Sequence, residues 1–155
     1  MFIINLINTE NLVIPEKSLF SEWEKFLGSE LQCQKHLINV KIVQKNEIRN
    51  FNKIYRKKDN YTNILSFPFV QPKDIPICSE IKNFLGDLVV CPEILHQEAK
   101  IQNKSLYHHW CHMLIHGILH LLGYNHINKN DAEKMERYEI KLLKKLHIDN
   151  PYIKK

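Results

Sequence analysis

The sequence predicts a single α+β domain, and three observations predict it. Its 155 residues suit one hydrophobic core and leave little room for a second. Three or four short apolar or alternating runs, each of strand length, are interspersed with four to six stretches of helical periodicity. No internal repeat, low-complexity tract or linker divides them.

The first strand is expected at residues 2–7. The apolar stretch around it, residues 1–14, lacks a basic leader and is interrupted by Asn5, Asn8, Thr9, Glu10 and Asn11, so it reads as structure and not as a signal peptide. Residues 15–27 place Leu19, Phe20, Trp23, Phe26 and Leu27 at helical spacing, with Gly28 as the expected cap. Residues 37–43 alternate, with Ile38, Val40 and Ile42 on one face of a strand. A helix over residues 46–55 is expected to bury Ile48, Phe51 and Tyr55. Residues 64–70 are apolar and extended, and Pro68 points to a strand end or sheet edge. A loop is expected over residues 71–82, with prolines at 72 and 76.

A further strand, residues 85–91, is stopped by Pro92, and residues 93–100 form a short helix. The long helix spans residues 106–122. Beyond Gly123, Asn130 with Glu133 resembles a capping box, opening a last helix whose buried stripe is Met135, Tyr138, Leu142 and Leu146. Together these elements make a small mixed sheet of three or four strands packed with four to six helices.

Composition excludes several classes. With 44% hydrophobic and 25% charged residues and only 4 Gly and 6 Pro, neither disorder nor a collagen-like repeat is tenable. No run approaches the roughly 20 apolar residues that cross a bilayer, so no membrane association is expected. The four cysteines, Cys33, Cys78, Cys91 and Cys111, contain no C-x-x-C pair, which argues against a cysteine zinc knuckle and fits thiols in a reducing cytoplasm. A net charge of +5 permits a nucleic-acid partner. The accompanying abundance of Lys, Asn and Ile is equally a signature of genome base composition, so charge alone does not decide.

The chemistry concentrates between His108 and His126, which hold six of the nine histidines. His116 and His120 are four apart on the long helix, so they share a face with Cβ atoms about 6 Å apart, a separation two imidazoles can close around one ion. Gly123 sits where the helix should stop and takes the left-handed conformation there at little cost. The chain can then return His126 to the same face, completing a site with metal–nitrogen bonds of about 2.0–2.1 Å and a fourth position open. His112 extends the i, i+4 series, but it lies about 12 Å along the axis from His120. It is therefore expected to support a ligand or to pack, and not to bind the ion. Gly117 stands where helical zinc proteases carry their glutamate base, so this site lacks that base.

These residues match a known family. His116-Gly-Ile-Leu-His-Leu-Leu-Gly-Tyr-Asn-His126 resembles the signature of the bacterial YbeY endoribonucleases, or rRNA maturation factors, which share a zincin-like fold. The segment from Asn52 to Phe67 looks like the family's second motif, Leu85-Gly-Asp-Leu-Val-Val90 its third, and Asp149-Asn-Pro-Tyr-Ile153 its tail. There are two departures: Asn63 replaces the usual Asp of the Thr-Asp-Val-Leu-Ser-Phe run, and Asn125 the Asp of Tyr-Asp-His.

The resemblance implies a zinc-dependent, single-strand-specific endoribonuclease with one zinc per chain. It would act in maturation of the small-subunit rRNA 3′ end and in ribosome quality control. Its partners would be rRNA precursors, the ribosome, and a ribosomal or assembly-factor protein. The resemblance also singles out Arg56, whose guanidinium can clamp a phosphodiester and stabilise developing charge. Lys57 and Lys58 are candidate RNA contacts. Asp87 and Ser66 are candidates for a place near the site, with buried hydrogen bonding as their plainer role. Two other readings are a zinc peptidase or related hydrolase, and a non-catalytic assembly factor with structural zinc.

Overall fold

In the computed structural model, residues 1–31, 35–70 and 83–153 are described. Strands β1 (Phe2–Ile7), β2 (His36–Ile42), β3 (Ile64–Pro68) and β4 (Phe84–Val90) form one mixed sheet in the order β1-β2-β4-β3. β1, β2 and β4 run parallel, and β3 returns antiparallel to β4 as an edge strand, the position where Pro68 costs no ladder bond. The helices are α1 (Lys17–Glu30), α2 (Lys45–Arg56), α3 (Pro92–Ile101), α4 (Leu106–Leu121) and α5 (Lys129–Lys145).

Strand alternation sorts the core onto two faces. Ile38, Val40 and Ile42 of β2 and Leu88 and Val90 of β4 point toward α1 and α4 and join the main cluster with Phe20, Trp23 and Trp110. Val89 of β4 points the other way, where Val43, Ile48, Leu65 and Cys91 form a smaller cluster beneath α2. α4 is buried on most of its circumference, packing on β3, β4, α3 and α5. Each of its fully buried Ile or Leu side chains contributes about 1.5–3 kcal/mol of hydrophobic stabilisation. A histidine-rich helix is thus held rigidly at the centre of the domain.

The α+β class, the mixed sheet and the sheet-edge position of Pro68 are as the sequence predicts. Several details differ. Gly28 does not cap α1, which continues to Glu30 and ends at Leu31. A Cβ on Gly28 would lie 3.3 Å from the backbone nitrogen of Phe2, so its small size serves the close approach of α1 to β1. Tyr55 is exposed, its ring stacked on Phe51 and edge-on to Phe67, and the polar Asn52 takes the buried position instead.

The expected strand over residues 64–70 ends at Pro68. α5 is capped by Asn128, two residues earlier than expected: its side chain accepts the Asp131 N–H at 2.9 Å and donates to the Asp131 carboxylate at 2.8 Å. The buried stripe of α5 contains Met135 and Leu142 as expected. Glu139 and Leu143 join it, while Tyr138 and Leu146 are only half-buried. Cys91 and Cys111 are buried thiols, the latter pushed up to about 12 by burial. Cys33, Cys78 and the expected loop over 71–82 lie outside the described residues.

Candidate metal centre and its cleft

α4 ends in a Schellman motif. The Gly123 N–H bonds to the His120 carbonyl at 3.1 Å and the Tyr124 N–H to the Leu119 carbonyl at 3.0 Å, while Gly123 adopts φ +103. No atom crowds a Cβ built there, so backbone conformation alone calls for glycine. The reversed chain brings His126 back to the helical pair. Ring centroids are 4.6 Å apart for His116 and His120, 4.9 Å for His120 and His126, and 5.8 Å for His116 and His126. One ring nitrogen from each lies within 4.8 Å of the others.

Hydrogen-bond partners fix which nitrogens face inward. His120 donates Nδ1–H to the Tyr124 carbonyl at 3.0 Å, leaving a lone pair on Nε2. His116 donates Nδ1–H to the Glu139 carboxylate at 2.5 Å, with the same consequence. The two Nε2 atoms are 3.1 Å apart, so two lone pairs face each other across a gap that only a proton or a cation makes favourable. Burial, reinforced by His116, His126 and Arg56, pushes His120 down to about 4, so it is neutral near pH 7. Imidazole nitrogens that converge in this way are the donor set a divalent metal requires, and the three residues fit one.

Glu139 is the site residue that the sequence reading missed. Fully buried on α5, it also accepts His112 Nε2 at 3.1 Å and the Tyr152 hydroxyl. Burial acts to raise its carboxyl, but the hydrogen bonds from His112 and His116 outweigh it and hold the group at about 2. A signal was present: Glu139 lies at i+4 from Met135 and i−3 from Leu142, so a carboxylate occupies a core position of an amphipathic helix. His112 does not join the three inward nitrogens. It lies beside His116, sharing the same carboxylate.

The three histidines form one wall of a cleft of about 330 Å³. The opposite wall comes from the C-terminal end of α2 and the chain leading into β3. Lys57 turns this chain with a left-handed φ of 57, and Asn52, buried, donates to the Asn60 carbonyl at 3.1 Å. Arg56 and Lys58 line the cleft and Lys57 does not. Arg49, about two turns earlier on α2, is occupied by Asp59 at 2.8 Å, whereas Arg56 has no hydrogen bond or ion pair among the described residues. No acidic side chain of the described residues lines this cleft.

The remaining candidates divide. Ser66 lines the cleft and donates to the Gly117 carbonyl at 3.4 Å. Asp87 stands apart, on the sheet face turned away from α4, where it accepts from Asn39 at 3.0 Å in a ladder that continues to Asn5. A Cβ at Gly117 would meet Leu88 and Ile64 side chains at 2.9 and 3.0 Å, so the position of the missing glutamate faces the sheet. Asn63 donates to Glu98 at 2.9 Å, and Asn125 accepts the Ile127 N–H at 3.2 Å, shaping the turn around His126. Neither touches a ring nitrogen of the three histidines.

Fold and cleft define a small α+β protein with a metal-competent histidine triad facing a basic wall. The chain belongs to the family described as Endoribonuclease YbeY, whose model matches residues 5–147. It is 46% identical over 151 residues to the Endoribonuclease YbeY of Francisella philomiragia, covering 97% of this chain and 94% of that one. The same name and identity apply to proteins of Francisella tularensis subspecies tularensis and novicida, covering 97% of this chain and 92% of each. A solution structure of a Thermotoga maritima protein is 23% identical and superposes with a TM-score of 0.58 over 97% of this chain and 99% of that one, a likeness of fold. Among the described residues, no helix is long and apolar enough to cross a membrane.

Proposed function

We propose that this protein is a zinc-dependent endoribonuclease that cuts single-stranded RNA in the cytoplasm. Its tasks are maturation of the small-subunit rRNA 3′ end and ribosome quality control, on rRNA precursors and ribosomes, with a ribosomal or assembly-factor protein as a further partner. The observation that carries the reading is the polarity of the cleft: the three histidines on one wall, an unpaired Arg56 and Lys58 on the other, and no carboxylate among the described residues to repel a phosphate.

His116, His120 and His126 would hold one zinc, which supplies Lewis acidity toward a phosphate oxygen or toward water. Arg56 presents parallel N–H donors to the non-bridging oxygens, fixing the scissile phosphate and stabilising charge that grows during displacement. Lys58 adds a point charge along the backbone. The buried Ser66 and Asn52 hold the opposing strand and loop, so the distance between the two walls is set by the fold. A peptidase reading loses support, because no carboxylate among the described residues lines the cleft to serve as a base, and Gly117 faces Leu88 and Ile64.

The test uses purified protein with single-stranded and duplex RNA of one sequence. Cleavage of the single strand is expected to vanish on chelation, return with zinc, and be absent in His120→Ala. Cutting that survives both chelation and the substitution overturns the mechanism, and turnover of peptides but not RNA overturns the substrate class.

A further inference from the structure

A fully buried ionised carboxylate adds little stability by itself, and well-packed apolar side chains usually replace such groups without loss. Glu139 occupies a position where the helix pattern asks for a hydrophobe, with Met135, Leu142 and Leu143 as its buried neighbours on α5. Its two oxygens are nevertheless fully used. Oε1 accepts His116 Nδ1, and Oε2 accepts both His112 Nε2 and the hydroxyl of Tyr152. Tyr152 comes from the segment that follows α5. That segment turns at His147, is pinned by the Ile148 side chain in the core and by the Ile148 N–H on the Leu143 carbonyl at 2.9 Å, and sets the Tyr152 ring edge-on to His112 at 5.7 Å.

We propose that Glu139 is the positioning residue of the metal centre and that Tyr152 orients Glu139, so that the C-terminal segment helps to set metal affinity. Glu139 locks the His116 ring with Nε2 toward His120, and its charge makes that nitrogen a stronger donor. Tyr152 and His112 fill the second oxygen, which leaves the carboxylate one rotamer instead of several. His120 is oriented by the backbone carbonyl of Tyr124, so only one of the two helical ligands depends on this relay. The inference rests on the histidine triad as a metal site and is independent of the RNA substrate.

Metal-free wild type, Glu139→Gln and Tyr152→Phe are titrated with zinc against a chromophoric chelator and with cobalt(II), whose visible absorption reports ligand geometry. Thermal unfolding of the metal-free forms is measured in parallel. Glu139→Gln keeps the volume and removes the charge; its zinc affinity is expected to fall about 10- to 100-fold, with a changed cobalt spectrum. Tyr152→Phe is expected to fold like wild type and to lose affinity in the same direction, by about 10-fold or less.

Zinc affinity within about twofold of wild type in Glu139→Gln, beyond which a lost supporting group should be visible, overturns the proposal. Should that variant not fold, Tyr152→Phe decides, and an unchanged titration there overturns it equally. Wild-type protein that takes up neither metal overturns the metal reading beneath it, an outcome distinct from equal binding by all three proteins.

Discussion

The two ends of α4 carry the same pairing of histidine with a buried or half-buried carboxylate, and only one of them belongs to the converging histidine triad. Near the N-terminal end, His109 Nε2 lies 3.1 Å from Glu98 of α3, which also accepts from Asn63. Near the C-terminal end, His116 bonds Glu139 of α5. The difference is the fate of the second ring nitrogen. His109 Nδ1 is buried without a partner among the described residues, whereas His116 Nε2 points toward His120 and the cleft. A histidine–carboxylate pair becomes a ligand holder when its free nitrogen has an outlet, and a packing device when it has none.

The sharpest way to break this contrast is to truncate both histidines. His116→Ala should release the metal and reduce RNA cleavage by more than about 100-fold, beyond the loss typical of a supporting group. His109→Ala should keep one equivalent of metal, measured by elemental analysis, and cost roughly 2 kcal/mol or more of stability through its cavity and the donor Glu98 loses. Metal loss in His109→Ala would erase the distinction between the two ends.

Next in size, Arg56→Ala should lower cleavage by about 100- to 1,000-fold, as removal of an electrostatic stabiliser does, with metal content unchanged. Arg49→Ala, which removes an exposed pair with Asp59, should leave turnover near wild type. Equal losses in the two variants would mean that charge on α2, and not the unpaired guanidinium in the cleft, carries the effect.

A smaller effect is expected at the packing end. Burial tends to raise the Glu98 carboxyl, and the hydrogen bonds from His109 and Asn63 hold it below its ordinary value. Asn63→Asp would set a second carboxylate where an amide now donates at 2.9 Å. Stability at pH 7 should fall by about 1–3 kcal/mol, read by denaturant titration, and recover as acidification protonates one of the pair. An increase in stability at pH 7 would show that the loop adapts.

The mildest perturbation is pH itself on the metal-free protein. His120 sits at about 4 when folded against an ordinary 6.5, so the unfolded chain binds the extra proton between those values, and stability falls as pH drops from 6.5 through 4. Glu139, at about 2 against 4.5, continues the decline between pH 4.5 and 2. The melting temperature should therefore decrease in two stages on acidification, and His120→Asn should flatten the upper one.

The convergence of three histidines was legible in the sequence because helix geometry fixes an i, i+4 pair and a terminal glycine explains how a third joins it. The supporting residues were harder to read. Glu139 lies 23 positions beyond His116, on a helix rich in exposed charge, and nothing local distinguishes it from Glu133 or Glu136 except its place on the apolar stripe. Asn52 shares that signature at i+4 from Ile48. The motif around Asp87 was legible as a strand, but which sheet face it presents depended on a strand order that pairs β4 with β2, a non-local fact.

The turn at Gly123 divides the centre by stiffness. His116 and His120 are embedded in a packed helix, while His126 is exposed on the short segment between α4 and α5. An ion held by all three would then depend on one exposed imidazole for its third bond, and no helix would need to shift for that bond to form or break. A variant that stiffens residues 124–126 would be expected to change how long such an ion stays without changing the helical pair that receives it.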